Sequence, residues 1–380
     1  MEKKVSNGKL NTRDLALDGV KGVAILIVML GHCIVLNGLD QDDPILYDAI
    51  ASIQMPLFML ISGMAAAMAG LSFAKLKKRT VAYLVPFFSW FVISYFWARI
   101  RVCFWGASGE AVPAISVSGF FEELKDLLFQ TDRGLWFLMT LFVVTCCMTV
   151  AVSCSKHFVV TLGCILVFYV LFFLQGRLGN TFLSPALTIK YMPFYVLGYL
   201  WQQIKEPAIL SRAETNVDEN EEKKGRESSR VKKLLLTVYV ICLIGFAFFV
   251  IRYPLTKPAE NMKDFTLLMI ASLLGTVAVF GIVYSLLSRF HDGKVIGFLS
   301  LIGTYTLEIY VLHFRFARLL QIEKKGLTLW SIPGILWCLA AFLLMSVLTA
   351  LCIFILNKIP VCRFLLFGKK TKVVKKNRPH

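Results

Sequence analysis

The sequence predicts an all-α polytopic membrane protein of about ten transmembrane helices, with both termini cytoplasmic. Three observations carry that expectation. Hydrophobic residues make up 57% of the 380 positions and charged residues only 17%, whereas a soluble domain is nearer half apolar and about a quarter charged. Mean hydropathy is +0.69, and apolar runs of the length needed to cross a bilayer, about 20 residues, recur along the chain. Lysine and arginine are distributed unevenly: with the N-terminus inside, 27 of the 41 fall on cytoplasmic segments and 13 on outer ones, leaving Lys21 within a span. The net charge of +17 therefore reports orientation. No compact basic domain or aromatic RNA motif points to nucleic acid.

The expected spans are 19–37, 48–70, 80–98, 134–152, 158–175, 190–204, 233–251, 264–288, 295–318 and 327–356. The first lacks a small-residue cleavage site and reads as an uncleaved anchor preceded by a cytoplasmic segment, 1–18. The second, "IQMPLFMLISGMAAAMAG", frees a backbone carbonyl at Pro56 and offers Ser62, Gly63 and three alanines for close helix packing. The third follows the basic turn of Lys75, Lys77, Lys78 and Arg79. Between spans three and four, segment 99–133 contains "FFEELKDLLF", which alternates acidic and apolar residues at helical spacing and suits a surface helix covering an outward opening. The same pattern also suits a plain amphipathic connector. The fourth and fifth spans follow from apolar length alone, while the sixth is short and carries Lys190 and Pro193. Between the sixth and seventh, residues 205–233 are charged and poor in apolar residues, a flexible cytoplasmic loop within a membrane domain of 19–357. The last three spans again follow from length, and 358–380 form a basic cytoplasmic tail. Most of the ten cysteines lie within spans, Cys103 alone falls in an outer segment, and no CxxC or Cys/His metal spacing appears.

Chemistry concentrates in "LDGVKGVAILIVMLGHC", residues 17–33. Lys21 and His32 are eleven residues apart, so at 100° per residue they share one helix face, separated by about 16 Å along the axis. Asp18, one turn before Lys21, can pair with it and reduce the cost of burying both. A long polyanionic ligand entering from the cytoplasm would meet Lys21 and bring its far end towards His32. An imidazole, with a reference pKa of about 6.5, can take a proton from a hydroxyl. The same residues also suit a plainer reading, with Lys21 snorkelling to the interface and His32 packing between helices. Gln54 is a polar amide in the outer half of the second span, either lining a cavity or bonding within the helix packing. Lys78 and Arg79 suit phosphate attraction and equally the positive-inside rule. In "SLIGTYTLEIYVLHFRFARLL", Thr306, Tyr310 and His313 share a face that places His313 outward, while Glu308 points elsewhere, towards a cation on another helix or Arg315 on its own face.

The motifs "LDGVKGVAILIVMLGH", "QMPLFMLISGM", "RGLWFLMTLF", "MPFYVLGYLW" and "IGTYTLEIYVLHF", in this order and spacing, resemble the acyltransferase family 3 integral membrane proteins, and most closely their fucose 4-O-acetylase-like branch. The resemblance implies a membrane-bound O-acyltransferase that takes acetyl from cytoplasmic acetyl-CoA, or another acyl-CoA, as co-substrate. The acceptor it implies is a hydroxyl of an envelope glycan or lipid-linked sugar at a bacterial plasma membrane. On that reading His32, Lys21 and Asp18 are catalytic, Lys78 and Arg79 bind donor, and Gln54, Ser62, Trp136, Tyr310, His313 and Glu308 contact substrate. Two positions depart from the family pattern. Lys21 stands where Arg is usual, which keeps the charge without the bidentate fork. Gln54 stands where many branch members have His, which puts proton transfer on His32. A transporter or flippase for a hydroxylated or lipid-linked substrate would share the spans and polar cavity, and a catalytically silent binding subunit is the third expectation. Homo-oligomerisation is left open by the small-residue faces.

Overall fold

The computed structural model describes residues 14–40, 43–105, 115–129, 134–155, 157–214, 221–257, 259, 261–290, 293–319 and 327–369. Every regular element among them is helical. Helix α1 (Leu15–Leu36) starts where the Asp14 carboxylate accepts from the Leu17 amide at 2.9 Å. It stops at Asn37 and Gly38, whose φ of +65° ends the helix. Helix α2 (Ile45–Ala69) descends through Pro56 and is ended by Gly70, φ +72°. Helix α3 (Phe73–Trp105) rises next, and α4 (Val117–Phe129) lies between α3 and α5 (Trp136–Cys154). Helix α6 (Phe158–Arg177) buries only Ile165 and otherwise presents its apolar surface outward, as a lipid-facing span does.

The expected sixth span belongs to a longer helix, α7 (Pro185–Glu214). Its sequence is less apolar than its neighbours because its interior half packs against protein. Tyr191, Tyr195 and Tyr199 are all buried, and the Thr145 hydroxyl reaches the Tyr195 oxygen at 3.5 Å. Helix α7 meets α2 backbone to backbone: a Cβ on Gly63 would collide with the Tyr195 carbonyl, and one on Gly198 with that of Leu60. The charged segment 205–233 is helical up to Glu214 and again from Glu221, where α8 (Glu221–Arg252) begins; residues 215–220 lie outside the described residues.

Helix α9 (Met262–Arg289), capped by Asn261, precedes a broken span. A continuous helix was expected over 295–318, yet α10 (Lys294–Thr304) and α11 (Thr306–Leu319) meet at a bend of 78°. The two threonines flanking Tyr305 compete with the helical ladder: the Thr304 hydroxyl donates to Leu301 O at 2.8 Å and that of Thr306 to Gly303 O at 3.1 Å. Helix α12 (Ile332–Lys358) starts at a Ser331 cap with Pro333 in its first turn. Among the described residues, eight helices are long and apolar enough to cross a membrane, and the bent pair makes a ninth. The expected sixth span, within α7, is helical but too polar to meet that measure.

A further short helix, α13 (Pro360–Phe367), folds back from α12 against α3. Phe367 is fully buried, and the Trp90 indole N–H donates to Leu366 O at 3.1 Å. Gly368 then adopts the left-handed conformation against the backbone of Ala82, and Lys369 pairs with the fully buried Glu308. Tyr284 donates to Asp14 at 3.1 Å, and Asp14, Arg79 and Thr304 line one cavity, so the two described ends of the chain lie at the same end of the bundle. Lys75, Lys77, Lys78 and Arg79 lie at this end, which is the inner one on the positive-inside expectation.

Two packing constraints generate predictions. Ala at Gly63 or Gly303 would force a helix pair apart, since a Cβ on Gly303 meets the Asp18 carbonyl; each should cost about 1–3 kcal/mol. Gly163→Ala, with nothing within 4 Å, should cost nothing, and thermal unfolding in detergent compares the three. Lys369→Ala strands the Glu308 carboxylate and should cost about 3 kcal/mol, at the low end for a buried pair because Lys369 is partly exposed. Adding Glu308→Gln should recover most of that loss in the same assay.

Candidate functional site

Helix α1 is held against α10 by mutual close approach. A Cβ on Gly22 would strike the Leu299 carbonyl, as one on Gly303 would strike that of Asp18. This contact fixes the rotation of α1, and with it the face that carries Lys21 and His32. The Lys21 ammonium donates to Asp18 Oδ1 at 2.9 Å, with Asp18 only 8% exposed. A pair one helical turn apart thus accompanies the cation into the bundle.

Lys21 lines an inner cavity of about 740 Å³. Asp14, Asp18, Ser62, Arg79, Tyr83, Thr304 and Thr306 contribute its polar atoms, and Met55, Phe58, Phe137, Leu138 and Tyr310 much of its apolar wall. Both carboxylates are engaged, Asp14 as the α1 cap and by Tyr284, Asp18 by Lys21. Lys21 and Arg79 bring positive charge to the same space from α1 and α3. Lys78 is exposed and lines neither cavity described here.

His32 lines a second, outer cavity of about 570 Å³, with Gln54, Trp136, Tyr310 and His313. The His32 and His313 rings are 5.3 Å apart at 35°, and Phe314 meets His32 edge-on at 5.0 Å. His313 is 1% exposed, and its Nδ1 lies 2.8 Å from Ile309 O. A carbonyl can only accept, so Nδ1 carries the hydrogen and the neutral ring keeps its lone pair on Nε2. Among the described residues, that Nε2 is buried without a hydrogen-bond partner, as is Gln54 Oε1. Buried polar atoms are rarely left so, and both belong to residues of this cavity.

The outer cavity also has walls that the sequence reading did not assign. Trp90 and Ser94, i and i+4 on α3, face it together with Arg315, which donates to the Ser94 hydroxyl and lies over the Trp90 ring at 5.6 Å. Helix α4 supplies Glu123 and Leu127, again i and i+4, and so closes one side. It is held there by Arg99, whose guanidinium donates to Glu123 at 2.6 Å and stacks on Tyr95 at 3.4 Å. The helical spacing of "FFEELKDLLF" was the available signal for Glu123; nothing local marks Trp90 or Ser94 beyond their shared face.

The sequence-derived residues thus divide. Asp18, Lys21, Ser62 and Arg79 gather at the inner cavity, and His32, Gln54, Trp136 and His313 at the outer one. Tyr310 lines both. Glu308 lines neither, because its carboxylate turns to Lys369. A family model described as an acyltransferase domain matches residues 14–357. No curated protein and no solved structure matches the chain.

Proposed function

The chain belongs to the acyltransferase domain family, and from that premise we propose that it is an O-acetyltransferase of the fucose 4-O-acetylase-like kind. It moves acetyl from cytoplasmic acetyl-CoA to a hydroxyl of an envelope glycan or lipid-linked sugar at the outer face of a bacterial plasma membrane. One observation carries this reading: an inner cavity that holds Lys21 and Arg79 and a histidine-bearing outer cavity both open on α1 and share the wall residues Met55 and Tyr310. A donor too large and too charged to cross the bilayer can then stay inside while its acyl end reaches the outer chamber.

In this scheme Lys21 and Arg79 hold donor oxygens, Lys21 as a point charge that Asp18 keeps in place. Lys78, at the exposed rim, draws the phosphates in. The acceptor lies among Gln54, Trp136 and His313, with Ser62 on the donor side. His32 removes the acceptor hydroxyl proton as the oxygen attacks the thioester carbonyl carbon. A C–O bond forms, the C–S bond breaks, and the coenzyme thiolate leaves and is then protonated. His313 positions His32: its Nε2 lone pair offers an acceptor for an N–H of the neighbouring imidazole, directly or through water, which would leave the other His32 nitrogen free to act as base.

The decisive assay presents radiolabelled acetyl-CoA to the cytoplasmic face of sealed vesicles and looks for label on envelope glycan outside. An acyltransferase leaves covalent label, whereas a transporter or flippase moves its substrate without it. His32→Ala should lower transfer by about 10²–10⁴-fold, the range for a lost general base, while the protein still inserts and folds; activity retained in that variant removes His32 from the mechanism. Lys21→Ala should act mainly on the KM for acetyl-CoA, and His313→Phe mainly on kcat, as a positioning residue does.

A further inference from the structure

The outer cavity reaches the surface of the bundle between α3 and α11. These two helices are not close neighbours: α3 packs on α5 and α13, and α11 mainly on α12 and α1. Towards the inner face α13 fills the gap, packing on both, and the Trp90 indole donates to Leu366 O there. One turn further out along α3 the gap is bridged by a side chain. Arg315 reaches across from α11, donates to the Ser94 hydroxyl and lies over the Trp90 ring at 5.6 Å. Arg315 lines the cavity and is itself exposed, so the cavity opens where this side chain stands.

The opening faces lipid. Ser94 lies fifteen residues after Arg79 on α3, about 22 Å along the helix axis, which places it in the outer half of a hydrocarbon layer about 30 Å thick. The side chains around it on α3, Ile93, Phe96 and Trp97, are apolar and exposed, as are Leu336 and Leu339 on α12 beside α11. Towards the outer water α4 lies across the cavity instead. Glu123 and Leu127 face inward from it, and it is held by the Arg99–Glu123 ion pair and by the Tyr95 hydroxyl, which donates to Ser116 O at 2.9 Å. Among the described residues the chamber is thus covered from above and bridged at its side. The bridging group is a guanidinium, the side chain best shaped to hold a phosphate.

We infer that the acceptor is a lipid-linked sugar that enters the outer cavity sideways from the bilayer, between α3 and α11, and that Arg315 selects it by holding the phosphate that joins sugar to lipid. The inference rests on the acyl-transfer reading above; it narrows the acceptor to one still attached to its lipid and adds the route and the selecting residue. The lipid chain stays against the apolar surfaces of α3 and α12. The phosphate takes the guanidinium over from the Ser94 hydroxyl, which holds Arg315 in place until then. The sugar lies inside, among Gln54, Trp136 and His313, where His32 can reach a hydroxyl.

The test presents radiolabelled acetyl-CoA to the cytoplasmic face of vesicles carrying the full chain, with two acceptors compared: lipid-linked glycan extracted from cell membranes, and the same glycan released by mild acid cleavage of its phosphate linkage. Wild-type protein should show a lower KM for the lipid-linked form. A long-chain polyprenyl phosphate should compete with that form, whereas inorganic phosphate and the polyprenol without phosphate should not. Arg315→Gln should raise the KM for lipid-linked glycan about tenfold or more, the range for a lost charge-assisted hydrogen bond. It should leave the KM for acetyl-CoA and the rate on released glycan at wild-type values, and Arg315→Lys should recover part of the loss. Equal KM values for the two acceptors in the wild-type protein overturn the lateral route, as does competition by inorganic phosphate as strong as that by polyprenyl phosphate. An unchanged KM in Arg315→Gln, or an equal loss on released glycan, overturns the role of Arg315. Absence of label on either acceptor with the wild-type protein instead overturns the acyl-transfer reading on which the inference rests.

Discussion

A charge or strong dipole placed in hydrocarbon has to bring its partner with it, and the interior of this bundle is arranged by that requirement. Lys21 comes with Asp18 on the same helix, and Glu308 receives Lys369 from the segment after α13. Arg99 is met by Glu123 from α4. Each pair also holds an element in place: the first sets a cation at the inner cavity, the second ties the end of the described chain to α11, and the third closes α4 over the outer cavity. Among the described residues the exceptions are then informative. Gln54 Oε1 and His313 Nε2 lack partners and belong to outer-cavity residues; in the proposed scheme a hydroxylated acceptor would supply the bond missing at Gln54 and His32 the one missing at His313. Ser272, Thr276 and Thr349 also carry unpartnered hydroxyls, and Arg99 Nε, Glu308 Oε2, Asn357 Nδ2 and Arg363 Nε are unpartnered as well; neither cavity accounts for these.

Much of the architecture could be read from the chain because hydrocarbon thickness is a demanding ruler. Nine of the ten apolar segments fall on single helices and the other, 295–318, on the bent pair α10 and α11; Lys21 and His32, eleven residues apart on α1, each line a cavity. Reading failed where a property depended on partners distant in sequence. Helix α7 is polar for a span because α2 and α5 cover its tyrosines. The break at Tyr305 depends on two threonines turning onto their own backbone, which apolar length does not register. Glu308 reads from its helix as facing a cation elsewhere, but which cation cannot be told from the chain: it is Lys369, 61 positions away. Trp90 and Ser94 became wall residues only when α3 was set beside α11.

The division into two chambers changes the meaning of the opening motif. As sequence, Lys21 and His32 share one helix face; in the folded chain they line different cavities, and the residues common to both cavities belong to α2 and α11. That separation suits transfer between a soluble donor and an acceptor on opposite sides of a membrane, since neither substrate has to cross. It also assigns distinct duties to substitutions that depart from the usual family pattern. In the proposed scheme Lys21 would bear on how the donor is gripped, and Gln54 on how the acceptor is held.

The central claim is that one continuous path runs from Lys21 past Met55 and Tyr310 to His32. The most direct measurement is a cryo-electron microscopy structure with a non-hydrolysable acetyl-CoA analogue. The account predicts phosphates beside Lys21 and Arg79, the pantetheine arm between Met55 and Tyr310, and the acyl carbonyl within hydrogen-bonding range of the His32 environment. An analogue whose acyl end remains below Met55, or whose nucleotide occupies the outer cavity, would contradict it.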